Sequence, residues 1–331
     1  MKMTSVNPLY QPQKVLSALN GAGSALLFCH LSPDGDTLGS ALALRLRLER
    51  MGKQAHVLLD GVIPPSIAFL PGADAVLGPE DPIPAADIAI AVDVASADRM
   101  GRCEPIFRSF PRTLQLDHHG TNNGYAEGNL IDPQAPATAV VLFRLLCQMN
   151  LPLSQEEAVC LYTALSTDTG NFIYDSTNAE SFRMMASLME AGLPLARYAR
   201  RLFRQKAVPF VRLLAQALPS LRISADGRMA GLCLTLAQMT RAGALPGHTD
   251  GLVDYAIDLE GVSVAYFARE LDDERVKVSL RSQEPYHVDG VAASLGGGGH
   301  KLAAGVTLSL PLNEAAALME RRLTEVLGGV Q

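Results

Sequence analysis

The chain has 331 residues and 48% of them are hydrophobic, enough length and apolar content for two domains with separate cores. A formal net charge of −6 excludes a protein that coats long duplex DNA by neutralising many phosphates, but leaves open a small anionic substrate held at one local site. Five cysteines without a C-x-x-C pair (Cys29, Cys103, Cys147, Cys160, Cys233) argue against a zinc ribbon or a disulfide framework and suit core positions in a reducing cytoplasm.

At the N-terminus, MKMTSVNPLYQPQ has no apolar signal core, and no later run approaches the roughly 18 apolar residues of a membrane span. A soluble cytoplasmic protein without membrane contact is expected. Short apolar runs then alternate with helical patterns, with strands expected over 25–29, 55–60, 88–93 and 113–117. Between the first two, Leu38, Leu42, Leu46 and Leu48 repeat at helical spacing before Gly52. This alternation predicts an α/β domain with a mainly parallel sheet.

From Ser154 to Pro219 the pattern is helical, opening on a capping-box pair, Ser154 and Glu157. It continues through 179–191 and a connecting helix over 195–218, which Arg197, Arg200, Arg201, Arg204 and Lys206 make basic. That charge run is either a solvated face or a surface facing an anionic cleft. Strand-like runs return at 221–224, 229–235, 263–268 and 276–281, followed by a glycine-rich loop, another strand and a closing helix over 312–327. The expected organisation is a domain over 1–190, a helical linker over 191–218 and a smaller α/β domain over 219–331.

In the first domain the strand ends carry the chemistry. His30 follows the first strand, with Asp34 and Asp36 in the turn HLSPDGDTLGS; the third strand ends at Asp93, and the fourth at Asp117, His118 and His119. Ligands gather at the carboxyl ends of strands in open parallel sheets. Taken singly, each feature has a bland explanation: Asp36 as a helix N-cap, Asp34-Gly35 as a turn, His118 as a structural histidine, and Asp168 in LSTDTGNF as a turn or C-cap. Buried together without a cation, however, the carboxylates would repel one another and be costly to desolvate. A ligand set of His30, Asp34, Asp36, Asp93, His118 and Asp168 mixes hard oxygen donors with imidazole, which suits Mn²⁺ better than thiolate-rich zinc. Two ions about 3.5 to 4 Å apart and bridged by one carboxylate would form a phosphoryl-transfer site.

In the second domain, four residues without Cβ (Gly296, Gly297, Gly298, Gly299) can turn successive N–H groups toward a phosphate, although a plain surface loop has the same composition. His300 and Arg281, at the end of VKVSLR, favour the anion site. There is no GxxxxGK[ST] motif for ATP phosphates.

With these residues assembled, the sequence resembles the DHH phosphoesterase superfamily. HLSPDGDTLGS, AVDVASADR, LDHHGTN and LSTDTGNF match its four motifs in order, and VKVSLRS with GGGGHKLAAG resembles the DHHA1 domain. The length and short linker are most similar to the NrnA-like branch, bifunctional oligoribonucleases and phosphatases of 3'-phosphoadenosine 5'-phosphate (pAp). The resemblance implies that His30, Asp34 and Asp93 hold one Mn²⁺ and that Asp36, Asp93, His118 and Asp168 hold the other, with Asp93 bridging. It implies a catalytic group of Asp93, His118, His119 and Asp117, in which His119 contacts the substrate phosphate or supports the ligands and Asp117 orients the histidines. Arg281, the glycines and His300 would hold the nucleotide across an interdomain cleft. Expected substrates are short RNA, dinucleotides and pAp. Cyclic or linear dinucleotide phosphodiesterase activity is the alternative within enzymes, and a catalytically inactive nucleotide-binding regulator the alternative outside them. The apolar content leaves room for a homodimer whose surface the sequence does not locate. One departure from the family pattern is Asp175, after the fourth motif.

Overall fold

The four apolar runs of the first half join one parallel sheet as β1 (Ser24–Phe28), β2 (Gln54–Leu58), β3 (Ile88–Val92) and β4 (Thr113–Asp117). A fifth strand, β5 (Gly128–Ile131), completes the order β2-β1-β3-β4-β5. β5 has no counterpart among the expected strands, because four residues beginning at a glycine are too few for a strand period to register. The structure is a computed structural model that describes residues 7–329, apart from the side chains of Pro246 and His300. Its chain divides into two units, Met1–Gln205 and Lys206–Gln331.

In the first unit the sheet is covered on both faces, which is why its strands are apolar without alternation. Leu27, Ile90, Val92 and Leu116 pack under α2 (Gly35–Arg50), α4 (Thr138–Leu146), α5 (Gln155–Asp168) and α6 (Ala179–Glu190), while α1 (Pro12–Gly21) closes the β5 edge. Leu26, Phe28, Ala89 and Ala91 face the other way, against Phe107 of α3 (Glu104–Arg108). Each fully buried leucine of α2, such as Leu38, Leu42 or Leu48, contributes about 1.5–3 kcal/mol of transfer free energy. α2 and α5 run against each other closely enough that a Cβ at Gly35 would lie 2.2 Å from Thr167 Oγ1, and one at Gly39 would lie 2.6 Å from the Cys160 carbonyl. Gly35 therefore serves helix packing, not only the turn before it.

The expected connecting helix over 195–218 is broken. α7 (Leu195–Ala199) continues as a π-turn to Arg204 and packs Tyr198, Ala199 and Leu202 on the first core. After extended backbone at Gln205 and Ala207, α8 (Val208–Ala217) starts afresh with Pro209 in its first turn and joins the second core. Proline has no N–H to continue a preceding helix but fits the first turn of a new one.

The second unit is a mixed sheet of β6 (Arg222–Ile223), β7 (Met229–Leu234), β8 (Val264–Glu270), β9 (Val276–Ser282), β10 (Gly298–His300) and β11 (Ala303–Leu308), in the order β10-β11-β9-β8-β7-β6. One face packs on α11 (Asp289–Ser294) and α12 (Leu312–Gly328), the other on α8, α9 (Leu236–Ala242) and α10 (Asp254–Ile257). The expected glycine loop is in part a strand. Gly298–His300 pairs antiparallel with β11, and a Cβ at Gly297 or Gly299 would come within 2.2 Å of the Gly305 carbonyl or 2.5 Å of the Ala303 carbonyl. Gly297 and Gly299 are thus required by the close hairpin, whereas a Cβ at Gly298 would meet nothing within 4 Å. Among the described residues no helix is long and apolar enough to cross a membrane.

Candidate metal centre

In this strand order β1 and β3 flank the point where the winding reverses, the place at which open parallel sheets bind ligands at the carboxyl ends of their strands. His30 follows β1 and Asp93 follows β3. Their side chains meet, with His30 Nε2 3.8 Å from Asp93 Oδ2 and 3.7 Å from Asp34 Oδ2. On the other side His118 Nε2, beyond β4, lies 3.7 Å from Asp93 Oδ1, 3.9 Å from Asp36 Oδ2 and 3.3 Å from Asp168 Oδ2. The two oxygens of Asp93 therefore face two different groups. In each of the sets His30, Asp34, Asp93 and Asp36, His118, Asp168, the potential ligand atoms lie within 4.8 Å of one another.

The turn HLSPDGDTLGS carries both of its possible meanings at once. Asp34, not Asp36, is the N-cap of α2: its Oδ1 accepts from the N–H groups of Asp36 and Thr37, both at 3.0 Å, while its Oδ2 faces His30. Asp36 sits inside the first turn and is fully buried. Its carboxylate accepts from Ser40 Oγ at 3.0 Å and from the backbone N–H groups of Thr138 and Ala139 at 2.6 and 3.0 Å, at the start of α4. Asp168 is the last residue of α5. The next three residues, Gly170, Asn171 and Phe172, have positive φ after Thr169, so the chain turns away sharply beyond it.

Asp93 itself has φ of 59°, an uncommon conformation for a residue with a side chain, and one held here by its neighbours. The Thr138 hydroxyl donates to Asp93 Oδ1 at 2.8 Å. Thr138 thus touches both Asp36 and Asp93, through its backbone and its side chain, and sequence reasoning missed it. The only available signal is its place just after Pro136, at the start of an apolar helical run. Removing the hydroxyl in Thr138→Val should weaken divalent-metal affinity by about 10- to 100-fold without lowering the melting temperature much. Titration calorimetry with Mn²⁺ would check this, and unchanged affinity would show that Asp93 needs no such support.

The histidines are held in defined orientations. His118 Nδ1 lies 3.2 Å from the Ala135 carbonyl, which accepts its proton and leaves Nε2 as the donor atom facing the carboxylates. His119 Nδ1 is 2.7 Å from Asp117 Oδ1 and 3.6 Å from Asp93 Oδ1, so that nitrogen is committed to Asp117. Asp117 Oδ1 also accepts the backbone N–H groups of His118 and His119, and its Oδ2 accepts from Asn122.

The electrostatics fit a cation. Burial first, and then the charges of Asp36 and Asp34, push the Asp93 carboxyl well above its usual range. Burial and the Asp168 charge push Asp36 up to about 7, and burial raises Asp168 to about 6 against the opposing His118. Desolvation would also raise Asp34 and Asp117, but His30 beside the first, and His119 with Asn122 beside the second, bring both below the usual range. For His118, desolvation is outweighed by Asp36 and Asp168, and its pKa is raised. His30 is 3% exposed, yet its Nδ1 has no hydrogen-bond partner among the described residues and its Nε2 stands 3.7–3.8 Å from two carboxylates. A buried imidazole whose Nε2 stands between two carboxylates, too far for a hydrogen bond to either, fits a cation held among the three. The adjacent Cys29 belongs to neither set: its thiol donates to the Thr37 carbonyl at 3.7 Å, and burial pushes its pKa up to about 12.

In the second unit Arg281 lies on β9, paired across the sheet with Ala303, and its guanidinium is 3.3 Å from Asp254 Oδ1. The side chain of His300 lies outside the described residues.

A doubly wound parallel sheet with carboxylates and imidazoles converging at its switch point, joined to a separate mixed-sheet unit, defines a class of phosphoesterase. The chain belongs to the DHH/DHHA1 family: the DHH family N-terminal domain matches residues 24–165 and the DHHA1 domain residues 231–325. The bifunctional oligoribonuclease and PAP phosphatase NrnA of Thermus thermophilus is 34% identical to it over 306 residues, 91% of this chain and 89% of the relative. The protein of the same name from Bacillus subtilis is 23% identical over 86% of this chain and 88% of its own. In three dimensions, an exopolyphosphatase-related protein from Bacteroides fragilis superposes with a TM-score of 0.89 at 26% identity, covering 98% of both chains.

Proposed function

We propose that this protein is a phosphoesterase that hydrolyses short oligoribonucleotides to mononucleotides and pAp to AMP, in the cytoplasm, with two Mn²⁺ ions. The observation that carries the proposal is the carboxylate of Asp93, whose two oxygens face His30 on one side and His118 on the other. His30, Asp34 and Asp93 would hold one ion, and Asp36, Asp93, His118 and Asp168 the second. When bound, such ions activate water and neutralise charge on the phosphoryl oxygens.

The chain's own residues supply the remaining work. Thr138 and the start of α4 hold Asp93 and Asp36 in place. Asp117 holds the His119 ring, and we assign His119 to the phosphoryl oxygens, where charge grows as the P–O bond breaks. We assign Arg281, His300 and the backbone at Gly298 to the nucleotide end of the substrate. Gly298 suits this role because no packing contact of its own calls for glycine there.

Incubation with Mn²⁺ and a panel of RNAs of increasing length, pAp and cyclic di-AMP tests the proposal. Turnover of the shortest RNAs and of pAp, abolished by EDTA, is expected. Preference for the cyclic dinucleotide would redirect the assignment, and absence of any turnover would leave a nucleotide-binding regulator.

Metal binding should also depend on pH. Asp36 and Asp168 have folded pKa values raised to about 7 and 6, so without metal they favour the folded state when protonated. That contribution is lost as pH rises from the ordinary carboxylate range through these values. A cation requires the ionised forms, so the gain in melting temperature on adding Mn²⁺ should be small near about pH 5 and reach a plateau by about pH 8. A gain independent of pH across that window would contradict ligation by these carboxylates.

A further inference from the structure

The basic run that follows α6 has no part in the metal centre. Leu195, Tyr198, Ala199 and Leu202 pack on the first core, while Arg197, Arg200, Arg201 and Arg204 between and after them are all exposed. Among the described residues none of the four pairs with a carboxylate, unlike Arg102, Arg108 and Arg144 of the same unit. Four unneutralised guanidinium groups in two turns of a chain with net charge −6 repel one another, and a polyanion relieves that repulsion.

A second feature narrows the anion. The rings of Tyr198 and Phe69 are stacked with centroids 5.4 Å apart, and the guanidinium of Arg201 lies over Phe69 at 4.5 Å. Arg201 is exposed, and the ring beneath it gives its guanidinium a fixed neighbour. Planar guanidinium groups stack on aromatic rings and equally accept an unstacked nucleobase. The segment carrying Phe69 also leads back to the metal centre. Gly61 packs on the backbone of Leu31, next to His30, and the residues from 61 to 69 span at most about 29 Å when fully extended.

We infer that this arginine face is a second binding site for single-stranded RNA, holding the part of the substrate beyond the nucleotides being cleaved. One base stacks on Arg201, and Arg197, Arg200 and Arg204 contact phosphates. The inference rests on the oligoribonuclease assignment above and makes that activity length-dependent: pAp and dinucleotides are too short to use the site.

Three variants test it, all at exposed side chains without ionic partners: Arg201→Ala, Arg201→Lys, and the triple change Arg197→Ala, Arg200→Ala, Arg204→Ala. The readouts are kcat and KM on a dinucleotide, pAp and a pentanucleotide, with fluorescence anisotropy of the labelled pentanucleotide in EDTA at several salt concentrations. Arg201→Ala and Arg201→Lys should each weaken pentanucleotide binding about tenfold, because lysine keeps the charge but not the plane. The triple change should flatten the slope of log K against log salt by about 2. KM for the dinucleotide and pAp should stay at the wild-type value in all three. Equal loss on short and long substrates, an unchanged salt slope, or the same loss of binding to a poly-glutamate peptide would overturn the inference. Failure of the wild-type protein to cleave any RNA would instead sink the oligoribonuclease assignment, while the anisotropy arm would still test this site.

Discussion

Replacing Asp93 with asparagine should abolish metal-dependent hydrolysis, by at least about a thousandfold, because several kcal/mol of charge stabilisation depend on ions that this carboxylate would bridge. The fold should survive. Asparagine tolerates the positive φ found at this position, and its side-chain oxygen can still accept the Thr138 hydroxyl hydrogen bond. Without metal the variant should melt no lower than the wild type. The Asp93 carboxyl is pushed well above its normal pKa, so above the ordinary carboxylate range this group costs the metal-free fold stability, whether it stays ionised or takes up a proton, and asparagine removes that cost. The rise in melting temperature on adding Mn²⁺ should disappear along with the activity. Retained turnover, or a retained metal-induced shift, would exclude the bridging role. Alanine would be the poorer probe, since it is strained at φ of 59°.

The second large effect is on stability. Arg47 and Glu157 are both fully buried between α2 and α5, paired at 2.8 and 3.0 Å through two parallel hydrogen bonds. Arg47 also donates to the Leu146 and Leu151 carbonyls, and Glu157 Oε2 receives Arg50 at 2.7 Å and closes the capping box on Ser154. Glu157→Ala would leave a buried guanidinium without its carboxylate and should cost about 3–5 kcal/mol, a fall in melting temperature of roughly 6–20 °C. Exchanging both partners for apolar residues of similar size, Arg47→Met with Glu157→Leu, should recover most of that loss. Thermal unfolding of the single and double variants decides it; a single variant within about 1 kcal/mol of wild type would mean that water reaches this pair.

Much of the site can be seen in the sequence because strand ends and helix ends are marked locally. Polar residues directly after apolar runs, as at His30, Asp93 and Asp117, are visible without any knowledge of pairing, and a parallel sheet gathers such ends on one edge. The capping box at Ser154 and Glu157 is equally local, and it forms as its spacing predicts. Its second role is not visible, since the partner that occupies the Glu157 carboxylate, Arg47, is 110 residues away. Thr138 was missed for the same reason: a hydroxyl at the start of an apolar helix looks like any other until β3 and α2 bring Asp93 and Asp36 against it. The glycine run shows the opposite failure, where composition suggests a loop and hairpin pairing with β11 makes part of it a strand.

By itself, then, the sequence determined the alternation of strands and helices, the position of each acidic or imidazole group on its element, and the family. Periodicity, capping and motif order are properties of neighbouring residues. Only the tertiary structure decided that Asp34 caps α2 while also facing His30, that Asp93 turns one oxygen to each side, that Thr138 supports it, and that among the described residues no carboxylate pairs with the four exposed arginines. Each of these depends on distances between residues far apart in the chain, which follow from how the sheet is wound and how closely the helices pack on it.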